Sequence, residues 1–357
     1  MTDVLVGCFT ADLWRYFTRP DTDTTISSRG IERLVLDDDT GALRHTGVVA
    51  DGVSSPQYLA LHPRLPVLYA AEFARPGRIS VLDLGPGGLA RRTTVESLGG
   101  MAVAVDVDPA GEVAYVAHLD DGALTACLLD ERGGIREVRP VVAGTAQPVT
   151  QQRFAYRGSG SKLHQVRVTP DGGGLVVADV GTDSVVTYPA GGDRADPSGR
   201  IGFPEASFPR HVEFHPSGRV AYVVGEGDAT LYVLHARDHV PVGIAAAHRL
   251  VPEGTTALPS ELHLHPDGRT LYIGLRRANA IAVLDVDDEG GVRLRGHEPS
   301  RGRNPRAVRV SPSGRHLLVG NWDSNTVVAF GIGEDGRPRP VGEPVEVPSP
   351  SSFAFTS

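Results

Sequence analysis

Cysteine, methionine, tryptophan and lysine are nearly missing from this 357-residue chain, which has two each of the first three and a single lysine. Cys8 and Cys127 are too few for a disulfide framework or a cysteine-based zinc site, and they suit a reducing compartment. No stretch approaches the ~20 consecutive apolar residues of a membrane span. The first residues carry Asp3, no basic flank and no long apolar core, so they do not read as a secretory signal. These absences lead us to expect a soluble, cytoplasmic protein with no membrane partner. Positive charge is also in deficit, 35 basic against 43 acidic residues for a net charge of −8, which argues against a nucleic-acid partner. All the basic residues but one are arginine; a genome-wide codon preference explains that bias but not the position of the one lysine, Lys162. Helical periodicity is almost absent. Gly-x-Ser-x-Gly does not occur, Gly85–Gly88 lacks the Lys-Ser/Thr of a phosphate loop, and His263-x-His265 lacks a third ligand at zinc spacing. Asp37–Asp39 reads as a solvated turn rather than a calcium loop. Neither a metal nor another cofactor is expected.

What the chain has in abundance is repetition. Six segments share an apolar strand, a turn built on proline, a second apolar strand, a polar turn and a third strand. The turn prolines are Pro63, Pro109, Pro170, Pro216, Pro266 and Pro312, spaced 46, 61, 46, 50 and 46 residues apart. Short strands repeating at ~40–50 residues are the mark of propeller blades, and Pro-Asp-Gly or Pro-Ser-Gly turns supply the fixed φ and the positive φ a tight turn needs. DVLVGCFT near the start and GIERLVLD at 30–37 look like the middle strands of a seventh blade, and PSSFAFTS at the C-terminus looks like its missing innermost strand. Closing the ring with strands from both termini removes open edges. The expected fold is all-β: a seven-bladed β-propeller closed by strands from both termini, one domain over 1–357. A ring of the six complete repeats alone is the lesser alternative.

Equivalent positions in the repeats locate candidate chemistry. The residues six before each proline are Gln57, Val103, His164, Arg210, Ser260 and Arg306, and those ten after it are Phe73, Leu119, Val180, Glu226, Arg276 and Trp322. Both sets should ring one mouth of the central channel. Idle repeat positions should hold similar residues; instead a histidine, three arginines and a glutamate fall on consecutive blades three to six. Such charges beside a narrow channel are costly unless they pair or serve a ligand. His62, His215 and His265 precede equivalent turn prolines, so repetition explains them as structural. Trp322 suits substrate stacking or a packing plug equally well.

Several of these stretches, namely PRHVEFHPSGRVAYVVGEGDATLYVL (209–234), LHLHPDGRTLYIGLRRANAIAV (262–283), PRAVRVSPSGRHLLVGNWDSNTVVAF (305–330) and LHQVRVTPDGGGLVVADVGTDSVVTY (163–188), resemble the seven-bladed lactonases, which include bacterial propeller-type 6-phosphogluconolactonases and fungal carboxymuconate cyclases. The resemblance spans nearly the whole chain. It implies a catalytic quartet of His164, Arg210, Glu226 and Arg276 acting on a small anionic lactone, with 6-phosphogluconolactone the default substrate. On chemical grounds either His164 or Glu226 serves as general base; Glu226, oriented by the two arginines, is the first choice, with His164 as proton shuttle. Lys162, Arg306, Trp322 and Gln57 are candidates for binding the substrate. The chain departs from the family in having Gly225 and Leu275 where asparagines are usual, and Lys162 where the pattern His-x-His is common. Lys162 is then a surface lysine, a phosphate- or carboxylate-binding group beside His164, or an amine with a lowered pKa. Insertions at 11–28 and 144–161, rich in arginine and aromatics, are read as lids or as rim and dimer contacts. A cyclase or isomerase on the same scaffold, or a non-catalytic binding platform, remain alternatives, as do a monomeric and a homodimeric state.

Overall fold

The computed structural model describes residues 1–10, 28–86, 88–144 and 160–356. Both insertions singled out by sequence lie almost wholly outside that set. The described strands form seven four-stranded antiparallel sheets. Blades one to six run consecutively along the chain, and their innermost strands are Pro56–Leu61, Ala102–Val107, Leu163–Val168, Pro209–Phe214, Leu258–Leu264 and Pro305–Val310. Blade seven is a composite: Pro350–Thr356 pairs with Thr2–Cys8, followed outward by Gly30–Leu36 and Leu43–Asp51. The sequence expectation of closure by both termini is met. Its cement is apolar, because Val4, Val6, Leu34 and Phe353 pack with Ala307, Leu318 and Val327 of blade six.

Each blade buries its two middle strands on both faces, which accounts for their near-continuous apolar runs (VAYVVG at 220–225, TLYIGLR at 270–276). The repeated polar residues tie neighbouring blades together. Tyr69, Tyr222 and Tyr272 each donate a hydroxyl to a glycine carbonyl in the outer turn of the next blade, at Gly133, Gly290 and Gly336. His62 and His265 lie 3.1 and 2.8 Å from the Gly111 and Gly314 carbonyls of the next blade's first turn. These histidines are structural, as their repetition implied.

One feature of the inner strands was not legible beforehand. In all seven, the ladder to the second strand slips at the same place, leaving Gln57, Val103, His164, Arg210, Ser260 with Glu261, Arg306 and Ser351 outside the pairing. A β-bulge of this kind bends the strand and re-aims a side chain. Two successive residues can then serve the channel, where strict alternation would allow only one. The first of the two candidate rings is therefore a ring of bulges.

Candidate functional site

Within blade four, Arg210 at its bulge and Glu226 just past the second strand meet in a close pair, with Arg210 Nη1 donating to Glu226 Oε2 at 2.7 Å. From blade five, Arg276 Nη2 lies 2.7 Å from Glu226 Oε1. Arg276 is anchored from behind, donating through Nε to the Leu258 carbonyl and through Nη2 to the Pro259 carbonyl. All three side chains are buried, with Glu226 only 1% exposed. Burial pulls the Glu226 carboxyl upward, but Arg276 and Arg210 outweigh it and bring the pKa down to about 2. With both oxygens engaged by guanidinium groups, Glu226 is a poor proton acceptor. The role of general base preferred for it from sequence does not fit this geometry; it serves as the counter-ion that fixes two arginines.

Arg306 of blade six has no carboxylate partner among the described residues. It is bracketed instead by aromatic faces, its guanidinium carbon 4.9 Å from the Phe9 ring centre and 5.0 Å from that of Trp322. Burial, then repulsion from Arg210 and Arg276, lowers its pKa to about 9. Among the described residues its Nε is buried and unpaired, as are Gln57 Oε1 and His164 Nδ1, two more polar atoms on bulge residues. His164 is 2% exposed, and burial followed by the field of Arg210 holds it well below the ordinary histidine value. The imidazole is neutral at physiological pH.

The second ring divides in two. Glu226 and Arg276 occupy the charged arc. Phe73, Leu119 and Val180 occupy the opposite arc and pack in one apolar cluster with Phe9 and Val103, against which Trp322 rests. Phe9 is the blade-seven counterpart of these positions, missed because blade seven lacks the proline used for alignment. Trp322 stacks on Phe9 at 4.8 Å between ring centres, so it acts as a bracket for Arg306 as well as packing.

Lys162 departs from the first sequence expectation, a surface lysine, and shows the lowered pKa of the third. It is fully buried, not a surface lysine, and its ammonium donates to the main-chain carbonyl of Asp120 in blade two, whose carboxylate receives Arg75 in two contacts of 2.7 Å. Burial lowers its pKa, with Asp120 and Asp121 opposing. The one lysine thus ties blade three to blade two. Gly225 also has a local reason, because a side chain there would collide with Asp228 Oδ1 and approach the Ser207 carbonyl. Leu275 is buried in the core between blades four and five.

Below the ring, His211 and Tyr58 meet across the channel axis, His211 Nε2 lying 2.8 Å from the Tyr58 hydroxyl. The His211 ring is 5.4 Å from that of His164. Sequence reasoning missed both residues, since each directly follows a ring position and alternation would send it to the other face. Among the described residues no group of three or more His, Cys, Asp or Glu side chains is arranged to hold a metal ion.

The buried histidines set an acid limit on stability. His164, His211 and His263 are held well below the usual value, and His118 at about 4, in each case first by burial. Below pH ~6.5 the unfolded chain binds protons at these sites that the folded chain does not, so stability drops as pH falls through that value. Glu261, raised to about 7 by burial, works in the opposite sense, because between pH ~4.5 and 7 it keeps a proton when folded that the unfolded chain has lost. Thermal unfolding should therefore show a lower midpoint at pH 5 than at pH 7, and Glu261→Gln should steepen that decline. A flat profile in both proteins would contradict the assignment of buried neutral histidines.

Comparison with known proteins adds an independent line. The pattern of the family described as "Lactonase, 7-bladed beta-propeller" matches residues 4–355. A protein of Bacillus subtilis (strain 168) named 6-phosphogluconolactonase is 25% identical over 353 residues, covering 96% of this chain and 98% of the relative. Another of that name, from Formosa agariphila, is 25% identical over 307 residues, covering 78% and 82% respectively. The solved structure titled as the periplasmic gluconolactonase of Pseudomonas aeruginosa superposes with a TM-score of 0.84 at 24% identity, covering 100% of this chain and 99% of that one.

Proposed function

The chain belongs to the family of seven-bladed β-propeller lactonases, and on that premise we propose that it is a hydrolase opening a small lactone that carries a phosphate or carboxylate. 6-Phosphogluconolactone, the substrate named by its relatives, is the first candidate. The observation that carries this reading is the charge balance of the site: three buried arginines face one carboxylate, and the imidazoles around them are neutral. Arg210 and Arg276 share Glu226, which leaves the equivalent of two positive charges in a buried cluster. Such an excess is costly to keep dry and is offset by an anionic ligand.

The chemistry follows from the same residues. Arg306, held between Phe9 and Trp322, presents its planar fork to the anionic group of the substrate. His164, neutral and with a free Nδ1, accepts the proton of the attacking water. Its basicity is depressed first by burial and then by the arginine field; the bound anion offsets that field, so the base is strengthened when substrate is present. The proton then passes to the ring oxygen as the carbon–oxygen bond opens. The reverse sense, ring closure of a hydroxy acid with loss of water, uses the same groups.

The test is a panel of lactones assayed against their spontaneous opening. 6-Phosphogluconolactone should be opened with a kcat/KM at least ~100-fold above that for uncharged glucono-δ-lactone, reflecting a charge-assisted contact of ~3 kcal/mol. The preference should shrink in Arg306→Ala. Equal rates on charged and uncharged lactones, or no acceleration of any anionic lactone, would remove the proposal.

A further inference from the structure

The polar contacts beneath the ring have a direction that can be deduced. Gln165 Oε1 lies 2.5 Å from the Val212 main-chain nitrogen. A main-chain N–H only donates, so the amide oxygen must be the atom facing it, and Gln165 Nε2 is the atom facing His211 Nδ1 at 3.4 Å. An amide nitrogen only donates as well, so Nδ1 is the acceptor and carries no hydrogen. In a neutral imidazole the hydrogen is then on Nε2. That Nε2–H points at the Tyr58 oxygen, 2.8 Å away, so the phenol accepts from His211. The Tyr58 hydroxyl hydrogen is left over, and no described residue accepts it.

This spare donor lies in the middle of the site. Tyr58 belongs to blade one and His211 to blade four, on opposite sides of the axis. His211 follows Arg210 directly, its ring neighbours that of His164, and Glu261, then Arg210, Arg306 and Arg276, act electrostatically on the Tyr58 hydroxyl. Burial raises the phenol's pKa, so it stays protonated at any working pH.

We propose that Tyr58 is a catalytic residue whose O–H donates to the oxyanion formed when water adds to the lactone carbonyl, with His211 and Gln165 as positioning residues that turn its hydrogen toward substrate. The proposal rests on the hydrolase reading above. In the step, water oxygen bonds to the carbonyl carbon, one water proton goes to His164, and the carbonyl π pair moves onto oxygen, where Tyr58 stabilises it without giving up its proton. Collapse restores the C=O, breaks the bond to the ring oxygen and returns the proton from His164 to that oxygen. The product is a hydroxy acid, which ionises. A role for Tyr58 and His211 as a mere plug of the channel makes a different prediction: their loss would lower stability and leave turnover unchanged.

Two variants and three readouts separate these. Tyr58→Phe should lower kcat on 6-phosphogluconolactone by about 100- to 1000-fold, as for removal of an oxyanion donor, with KM within about threefold. Gln165→Glu places an acceptor where His211 now finds a donor. It should move the His211 hydrogen to Nδ1, draw the Tyr58 hydrogen onto Nε2 and lower kcat comparably, with a rise in KM from the added negative charge. Nitrogen-15 NMR reads the tautomer directly, with the Nε2–H form expected in the unmodified protein and Nδ1–H in Gln165→Glu. Inorganic phosphate, a stable anionic probe, should bind Tyr58→Phe about tenfold more weakly. If the unmodified protein opens no lactone, the hydrolase reading fails and the catalytic role falls with it, while the tautomer and phosphate measurements still decide whether Tyr58 donates to a bound anion. A Tyr58→Phe kcat within threefold of normal, or an Nδ1–H tautomer in the unmodified protein, overturns the proposal outright.

Discussion

Replacing Glu226 by glutamine should cost the protein about 3–5 kcal/mol of stability and at least ~100-fold in kcat/KM. The two losses share one cause. Among the described residues Glu226 is the only carboxylate paired with the arginine cluster, and each oxygen is 2.7 Å from a guanidinium nitrogen. An amide keeps the shape and one acceptor but removes the charge, so Arg210, Arg276 and Arg306 would face one another without compensation in a buried site. From sequence alone, the expectation is lost activity on an intact fold; the geometry adds the stability loss. Both arginines would also lose the partner that fixes their direction, and misplacement of a charged clamp by about 1 Å is enough for a hundredfold loss. Thermal unfolding reads the first effect, and hydrolysis at a temperature where the variant remains folded reads the second. Inorganic phosphate should raise the melting temperature of Glu226→Gln more than that of the unmodified protein, since the site is then more positive. A variant with unchanged melting temperature and unchanged activity would show that the pairing of Glu226 with Arg210 and Arg276 is neither structural nor functional.

Removing residues 349–357 should abolish cooperative folding. Pro350–Thr356 is the innermost strand of blade seven, and its removal strips the ladder from Val4 to Phe355 and its neighbours off the N-terminal strand. It also deletes Phe353, 4% exposed in the cluster shared by blades six and seven, and the Ser351 hydroxyl that donates to the carbonyls of Gly7 and, in blade one, Gln57. Loss of Phe353 alone, as alanine, should cost about 3–5 kcal/mol. Losing the whole strand also opens two sheet edges and breaks the ring, which together should exceed about 5 kcal/mol, a large part of the 5–15 kcal/mol that holds a domain folded. Calorimetry on the shortened chain should show no sharp transition. A transition within a few degrees of that of the full chain would mean that six blades close without the seventh.

How much of this could be read in advance depended on the kind of order involved. The blade count, the composite seventh blade and the two rings carrying His164, Arg210, Glu226 and Arg276 follow from a period, and a period is visible in one sequence. The strand pairing between Thr2–Cys8 and Pro350–Thr356 was legible because PSSFAFTS supplies what the N-terminal strands lack. Departures from regular alternation were not legible. The bulge in each inner strand brings Arg210 and His211, adjacent in sequence, to the same channel, and no composition signal marks it. Tyr58, His211 and Gln165 were missed for that reason. The burial of Lys162 was hidden for another reason: it donates to a main-chain carbonyl in the preceding blade, which has no side-chain signature. Residue types alone also do not reveal that both Glu226 oxygens lie against guanidinium groups, which disfavours the role of base first chosen for it.

The central claim is that a neutral His164, set at a bulge beside an arginine-rich anion site, opens an anionic lactone. The measurement that bears on it most directly is the rate of 6-phosphogluconolactone opening by the unmodified protein and by His164→Asn, each against the spontaneous reaction and at matched fold stability. The account predicts clear acceleration that falls by about 100- to 10,000-fold in the variant, the range general-base catalysis supplies. Acceleration that survives the substitution would contradict it.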